Sequence, residues 1–235
     1  MRQIILDTET TGLDPNDGHR IVEVGAVEVI KRQLTGNHLH HYVNPDRDSD
    51  PEALAVHGLT TEFLSTHPPF EQIAQQLLDF VQDAEVIIHN ASFDVRFLDA
   101  ELQRAGFGPF NQYCGKVTDS LQYARELHPG KRNNLDVLCD RYGISNEHRV
   151  LHGALLDAEL LADVWLAMTR GQESLVMGFT ADDEDNVEIQ LASKGEALSL
   201  PVIEPSPQAV AAHEQYLQAI EKESGAPSLW RQIFN

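Results

Sequence analysis

Residues 3–7 (QIILD) form a short apolar run closed by an acid, the pattern of a buried strand. Residues 20–34 (RIVEVGAVEVIKRQL) then alternate, with Ile21, Val22, Val24, Val27 and Val29 as apolar positions, and 35–37 (TGN) carry a hairpin-turn signal. HLHHYV (38–43) returns as the partner strand, so the chain is predicted to start as an antiparallel meander. Helical periodicity takes over from there. Asp50 and Pro51 predict a helix start, and Gly58 its stop, around EALAVH. In PPFEQIAQQLLDFVQDA, Phe70, Ile73, Leu77 and Phe80 share one helical face. EVIIHN (85–90) reads as another strand, and SFDVRFLDAELQRAG as a helix capped by Ser92 and ended by Gly106. KVTDSLQYARELHPG and NNLDVLCDRYG predict two more helices, stopped by Gly130 and Gly143, and 153–170 (GALLDAELLADVWLAMTR) the last core helix. Strands first and alternating elements afterwards predict an α/β three-layer domain over residues 1–170.

The pattern changes beyond Arg170. ADDEDNVE is an acidic run and LPVIEPSPQ holds three prolines, so residues 171–207 read as a linker. Ser206 and Pro207 predict the start of a helix in QAVAAHEQYLQAIEKES. The apolar Leu229, Trp230, Ile233 and Phe234 at the end make residues 208–235 a docking segment.

Composition narrows the chemistry. The 235 residues carry a formal charge of −20, with 26 acidic against 14 basic residues up to Arg170 and 11 against 3 after it. Non-specific nucleic-acid binding wants clustered Lys and Arg, so a polyanionic substrate would have to be held by metal ions or a local basic patch. Cys114 and Cys139 offer neither metal-type spacing nor a disulfide framework, which suits a reducing cytosol. The chain enters a strand pattern directly after Met1-Arg2-Gln3, and no run approaches the ~18 apolar residues of a membrane span. The expectation is a cytoplasmic protein with no membrane partner.

Side chains two apart on a strand point the same way, so Asp7 and Glu9 project together if the first strand reaches them. Two adjacent like charges repel, and one stays protonated unless a cation bridges them. Taken alone, the pair also fits a turn cap. Two further stretches add weight to the metal. Asp94, in IIHNASFD, falls in the first turn of a helix, and Asp157, in HGALLDA, has buried-type neighbours in Leu156, Leu160 and Leu161. His152 precedes Asp157 by five residues, about 140° apart on a regular helix. If Gly153 starts the helix, the imidazole is free to swing back over Asp157. Four carboxylates and a histidine from three segments form the inventory for two-metal phosphoryl transfer. Their oxygen-rich shells suit two divalent ions, Mg²⁺ or Mn²⁺, and His152 is placed to take a proton from an attacking water.

DTETTGL, HNASFD and HGALLDA resemble, in order and spacing, the three motifs of the DEDDh superfamily of 3′→5′ exonucleases. GAVEV, LTGN, DPEALAVHG, CGKVTDSL and PGKRNNLD extend the resemblance to the proofreading subunits of bacterial replicative DNA polymerases. The resemblance implies a ribonuclease H-like fold, a five-stranded mixed sheet flanked by helices. It implies Asp7, Glu9, Asp94 and Asp157 as metal ligands and His152 as proton acceptor. Glu52 and His57 would contact the terminal nucleotide of a frayed or single-stranded DNA 3′ end, and Leu13 would lie near its base. The product would be a 5′-deoxynucleoside monophosphate. GQESLVM resembles a peptide for the sliding clamp (beta), through Gln172, Leu175 and Met177. Leu229 and Trp230 fall in a segment similar to the tether for the polymerase's catalytic (alpha) subunit. A small theta-like third subunit stays open, as do a stand-alone exoribonuclease and a mainly structural bridge between polymerase and clamp.

Overall fold

The computed structural model describes residues 2–146, 149, 151–170, 206–224 and 230. The first strand, β1 (Arg2–Thr10), runs past Asp7 and carries Glu9 within it. It pairs antiparallel with β2 (Ile21–Ile30), Asp7 opposite Gly25 and Glu9 opposite Glu23, with a bulge after Glu9. β3 (Gln33–Tyr42) follows β2 antiparallel. The turn between them is Lys31-Arg32, both in the left-handed region at φ 50° and 64°, as the two-residue hairpin matched to strand twist requires.

Thr35-Gly36-Asn37 is thus not the hairpin turn. It lies inside β3 as a register shift opposite Glu28, with Gly36 at φ 83°, and Thr35 Oγ1 donates to Glu28 Oε2 at 2.9 Å. The residues suit a turn, but a bulge takes the same left-handed glycine. β2 also departs from simple alternation: all but its last residue are buried, because this central strand is covered on both faces.

Helices α1 (Pro51–His57), α2 (Thr61–Leu64) and α3 (Phe70–Val81) come next. β4 (Glu85–Ile88) then joins β1 in parallel. α4 (Ala91–Arg104) begins one residue before Ser92, and its N-cap is Asn90 in a left-handed conformation. KVTD is a fifth strand, β5 (Lys116–Asp119), parallel to β4. The helix α5 (Ser120–Leu127) starts only after it, with Asp119 Oδ1 accepting from the amides of Leu121 and Gln122. Four residues are too few to show a strand period ahead of a strong helix, which is why the whole stretch reads as helical. α6 (Leu135–Tyr142) and α7 (Ala154–Met168) complete the layer. The sheet order is β3-β2-β1-β4-β5.

Strand alternation sorts the core onto two sides. Ile4, Leu6, Val86 and Ile88 pack with Phe70, Leu77, Phe97 and Leu98 of α3 and α4. Ile5 and Ile87 face the other way, onto Ala124, Leu138, Ala158, Leu161 and Trp165 of α5, α6 and α7.

The chain divides into two units, residues 1–179 and 180–235. In the second, α8 (Pro207–Ser224) begins where Ser206 Oγ accepts from the Ala209 amide at 3.2 Å, as the sequence predicts. Trp230 meets the His213 ring edge-on at 5.5 Å. Gln172, Leu175, Met177, Leu229 and residues 171–205 of the linker lie outside the described residues.

Candidate active site

Because β1 continues to Thr10, Asp7 and Glu9 share the side of Ile5, toward α7, while Thr8 points toward α4. Thr8 Oγ1 donates to Asp94 Oδ1 at 2.7 Å, fixing the carboxylate in the first turn of α4. Asp157 occupies the first turn of α7, only 3% exposed. Gly25 lets that turn approach. A Cβ there would sit 2.2 Å from the Ala154 carbonyl carbon and the Leu155 nitrogen, so α7 rests backbone to backbone on β2 opposite Asp7.

Gly153 caps α7 in extended conformation, leaving His152 in the loop ahead of it. The imidazole does fold back, with Nδ1 at 3.4 Å from Asp157 Oδ2. Among the described residues, Glu9, His152 and Asp157 each bring one donor atom within 4.8 Å of the others, a spacing fit for a metal ion. Asp7 lines the same cleft of about 270 Å³.

The electrostatics state the same need. Withdrawal from water, reinforced by Asp94, Glu9 and Asp157, pushes the Asp7 carboxyl well above its ordinary range. Glu9 rises to about 8 through burial and the charges of Asp157 and Glu23. Burial raises Asp94 to about 7 against the Thr8 hydrogen bond. Three carboxyls all shifted upward by burial, two of them reinforced by neighbouring acids, make a site that favours added positive charge.

Two charged residues in the site escaped the sequence reading. Arg149 binds Asp157 through Nε and Nη2 at 2.5 and 2.6 Å and Asp136 through Nη1 at 2.6 Å. Its Nη2 also lies 2.8 Å from His152 Nδ1. Burial disfavours its charge, but the bonds to Asp157 and Asp136 outweigh this and hold it protonated. A guanidinium only donates, so Nδ1 accepts and the neutral imidazole carries its proton on Nε2. The second is Glu23, 2% exposed opposite Glu9 and 2.7 Å from His40 Nε2. A charge amid the valines of a central strand was its one signal.

Glu9 and Thr8 also line a neighbouring cavity of about 330 Å³, walled by Leu13, Glu52, His57 and Phe93. Leu13 stands 76% exposed at its rim. His57 is buried, and its Nδ1 accepts from the Leu59 amide at 2.9 Å. Burial lowers its pKa, so the ring is neutral with its proton on Nε2. That N–H finds no partner among the described residues, as expected of a donor waiting for a ligand.

This constellation of carboxylates and histidine, at strand and helix ends of a mixed five-stranded sheet, defines a class of nuclease. The exonuclease family model matches residues 4–165, and the chain belongs to that family. It is 47% identical to the DNA polymerase III subunit epsilon of Pasteurella multocida, over 97% of this chain and 93% of that protein. Against the same subunit of Escherichia coli it is 48% identical, over 98% and 97%. Among solved structures, exonuclease X with 5′-overhanging duplex DNA aligns at TM-score 0.57 and 27% identity, over 73% of this chain and 93% of that one. Escherichia coli exonuclease I with a dT13 oligonucleotide shares the fold at TM-score 0.64 and 20% identity, over 74% and 42%.

Proposed function

We propose that the chain is a divalent-metal-dependent 3′→5′ exonuclease that removes mispaired terminal nucleotides from DNA as the proofreading epsilon subunit of a DNA polymerase III. The observation that carries this reading is the convergence of Glu9, His152 and Asp157 within 4.8 Å, beside a cavity sized for one nucleoside. The donor set of hard oxygens suits Mg²⁺ or Mn²⁺. Asp7, Glu9, Asp94 and Asp157 would hold two such ions, which supply Lewis-acid stabilisation of the scissile phosphate.

The chain's own residues do the positioning. Leu13 wedges under the terminal base, and His57 Nε2–H donates to the terminal nucleotide with Glu52 beside it. Thr8 keeps Asp94 aimed at the cluster. His152 receives the proton of the attacking water at Nδ1 once its contact with Arg149 opens. Selection for mispairs comes from fraying, since an unpaired end enters the cavity at lower cost than a paired one. In the same reading, Gln172, Leu175 and Met177 contact the sliding clamp (beta). Residues 208–235 tether the enzyme to the catalytic (alpha) subunit, with Leu229 and Trp230 in the contact. Val210, Tyr216, Ile220 and Trp230 are exposed apolar side chains in this segment, and tethering raises local concentration without a large interface.

The test is hydrolysis of matched and mismatched 3′ ends, DNA against RNA, with and without chelator. Mismatched DNA should be cleaved fastest, to 5′-mononucleotides, and chelation or D7A with E9A should abolish cleavage. Activity persisting in the double variant would refute the site, and a preference for RNA would refute proofreading.

A further inference from the structure

A further cleft, about 620 Å³, is lined mainly by basic and amide side chains and shares no lining residue with the nucleoside cavity. It shares His89 and Asn134 with the catalytic cleft, so the two adjoin. Arg125, Lys131 and Arg132 line it, all exposed. No ion pair holds these three side chains among the described residues, whereas Arg20, Arg149 and Arg2 are each tied to a carboxylate. Asp119, which meets the cleft-lining Asn90 and Leu121, is occupied by the amides of Asn90, Leu121 and Gln122. Glu126 is exposed next to Arg125 in sequence and offsets part of the charge. Three free cations within eight positions are a local exception in a chain of −20.

The three cavities are linked by the residues they share. The nucleoside cavity meets the acid cluster through Thr8 and Glu9, and the acid cluster meets the basic cleft through His89 and Asn134. A strand whose terminal nucleoside fills the first and whose scissile phosphate lies at the second can continue, in its 5′ direction, into the third, which adjoins the acid cluster at His89 and Asn134.

We infer that Arg125, Lys131 and Arg132 hold the backbone phosphates upstream of the scissile bond, so that this cleft is the strand-entry channel. The inference rests on the exonuclease reading above and adds a substrate-length requirement to it. Backbone contacts of this type carry affinity and register without base selectivity, which suits an enzyme that must accept any terminal sequence.

The experiment compares a dinucleotide with an octanucleotide of thymidylate, using the full chain and Mg²⁺. The dinucleotide TpT has no phosphate upstream of its scissile one and serves as the reference. For the wild type, KM should fall with length and rise with salt. In R125Q/K131Q/R132Q the octanucleotide KM should rise about tenfold relative to the dinucleotide. Its logarithmic salt slope should fall by about 2, at ~0.7 per single-strand phosphate contact. R125K/R132K, which keeps the charge, should restore the slope. Equal shifts for both lengths, or none, would overturn the channel, including the case where the cations serve an acidic protein partner. Failure of the wild type to cleave either substrate would instead refute the exonuclease reading.

Discussion

The Arg149 guanidinium grips Asp157 with two nitrogens, Nε to Oδ1 at 2.5 Å and Nη2 to Oδ2 at 2.6 Å. Both side chains are nearly buried, at 7% and 5% exposure. The arginine thus provides, from within the protein, some of the positive charge that the carboxylates call for.

Removing it should expose how the two sources of charge substitute for each other. Truncating one partner of a buried pair strands the other and costs about 3–5 kcal/mol. R149A should lose about that much stability in chelator and much less in saturating Mg²⁺, because an ion bound to Asp157 compensates. Denaturant melts with and without metal make the comparison. Equal losses in both conditions would mean that Arg149 is only a structural brace.

The raised carboxyl pKa values fix the sign of a pH effect. A group whose folded pKa lies above its unfolded value binds more protons when folded. Its contribution to stability is therefore complete below the unfolded pKa and is lost as pH rises through the folded one. Glu9 shifts from 4.5 to about 8 and Asp94 from 3.8 to about 7, with Asp7 moved in the same direction. The metal-free protein should melt at progressively lower temperature as pH rises through this window, while Mg²⁺ binding tightens and releases protons. Calorimetry in buffers of different ionisation enthalpy counts those protons, and metal affinity independent of pH would contradict the shifts.

Gly25 carries a structural prediction. Its added Cβ would fall 2.2 Å from two backbone atoms of α7, so G25A must lift the helix start that holds Asp157. Overpacking of this kind costs typically 1–3 kcal/mol. Metal affinity should fall along with stability. A variant of wild-type affinity would show that α7 is placed by its other contacts.

Of the candidate site, the meeting of Glu9, His152 and Asp157 was legible in the sequence, and the Gly153 start leaves His152 free to fold back as the sequence suggests. Asp7 and Asp94 stand out as candidates beside them because an acid in an apolar strand or a helix's first turn breaks the local pattern. The five-stranded mixed sheet followed from the resemblance, while propensity alone concealed its fifth strand in KVTD and misplaced the hairpin turn at TGN. Short strands carry too few residues to show a period, and a left-handed glycine serves turn and bulge alike. Arg149 was illegible for another reason. Its partners Asp136 and Asp157 lie on two different helices, and no spacing along the chain records that meeting.

His57 separates binding from chemistry. Its Nδ1 is used by the Leu59 amide, and only Nε2 is left for a ligand. An asparagine side chain reproduces the Nδ1 acceptor and lacks a group at Nε2, whereas a glutamine amide reaches the Nε2 position. H57N should therefore weaken product inhibition by a 5′-nucleoside monophosphate by about 2- to 10-fold, the worth of one net hydrogen bond, and H57Q should keep most of it. A bond made, as proposed, to the bound nucleotide in ground and transition state alike predicts that KM rises in H57N with kcat nearly unchanged. A loss of kcat at constant KM would place His57 in the chemical step and refute the binding role proposed for it.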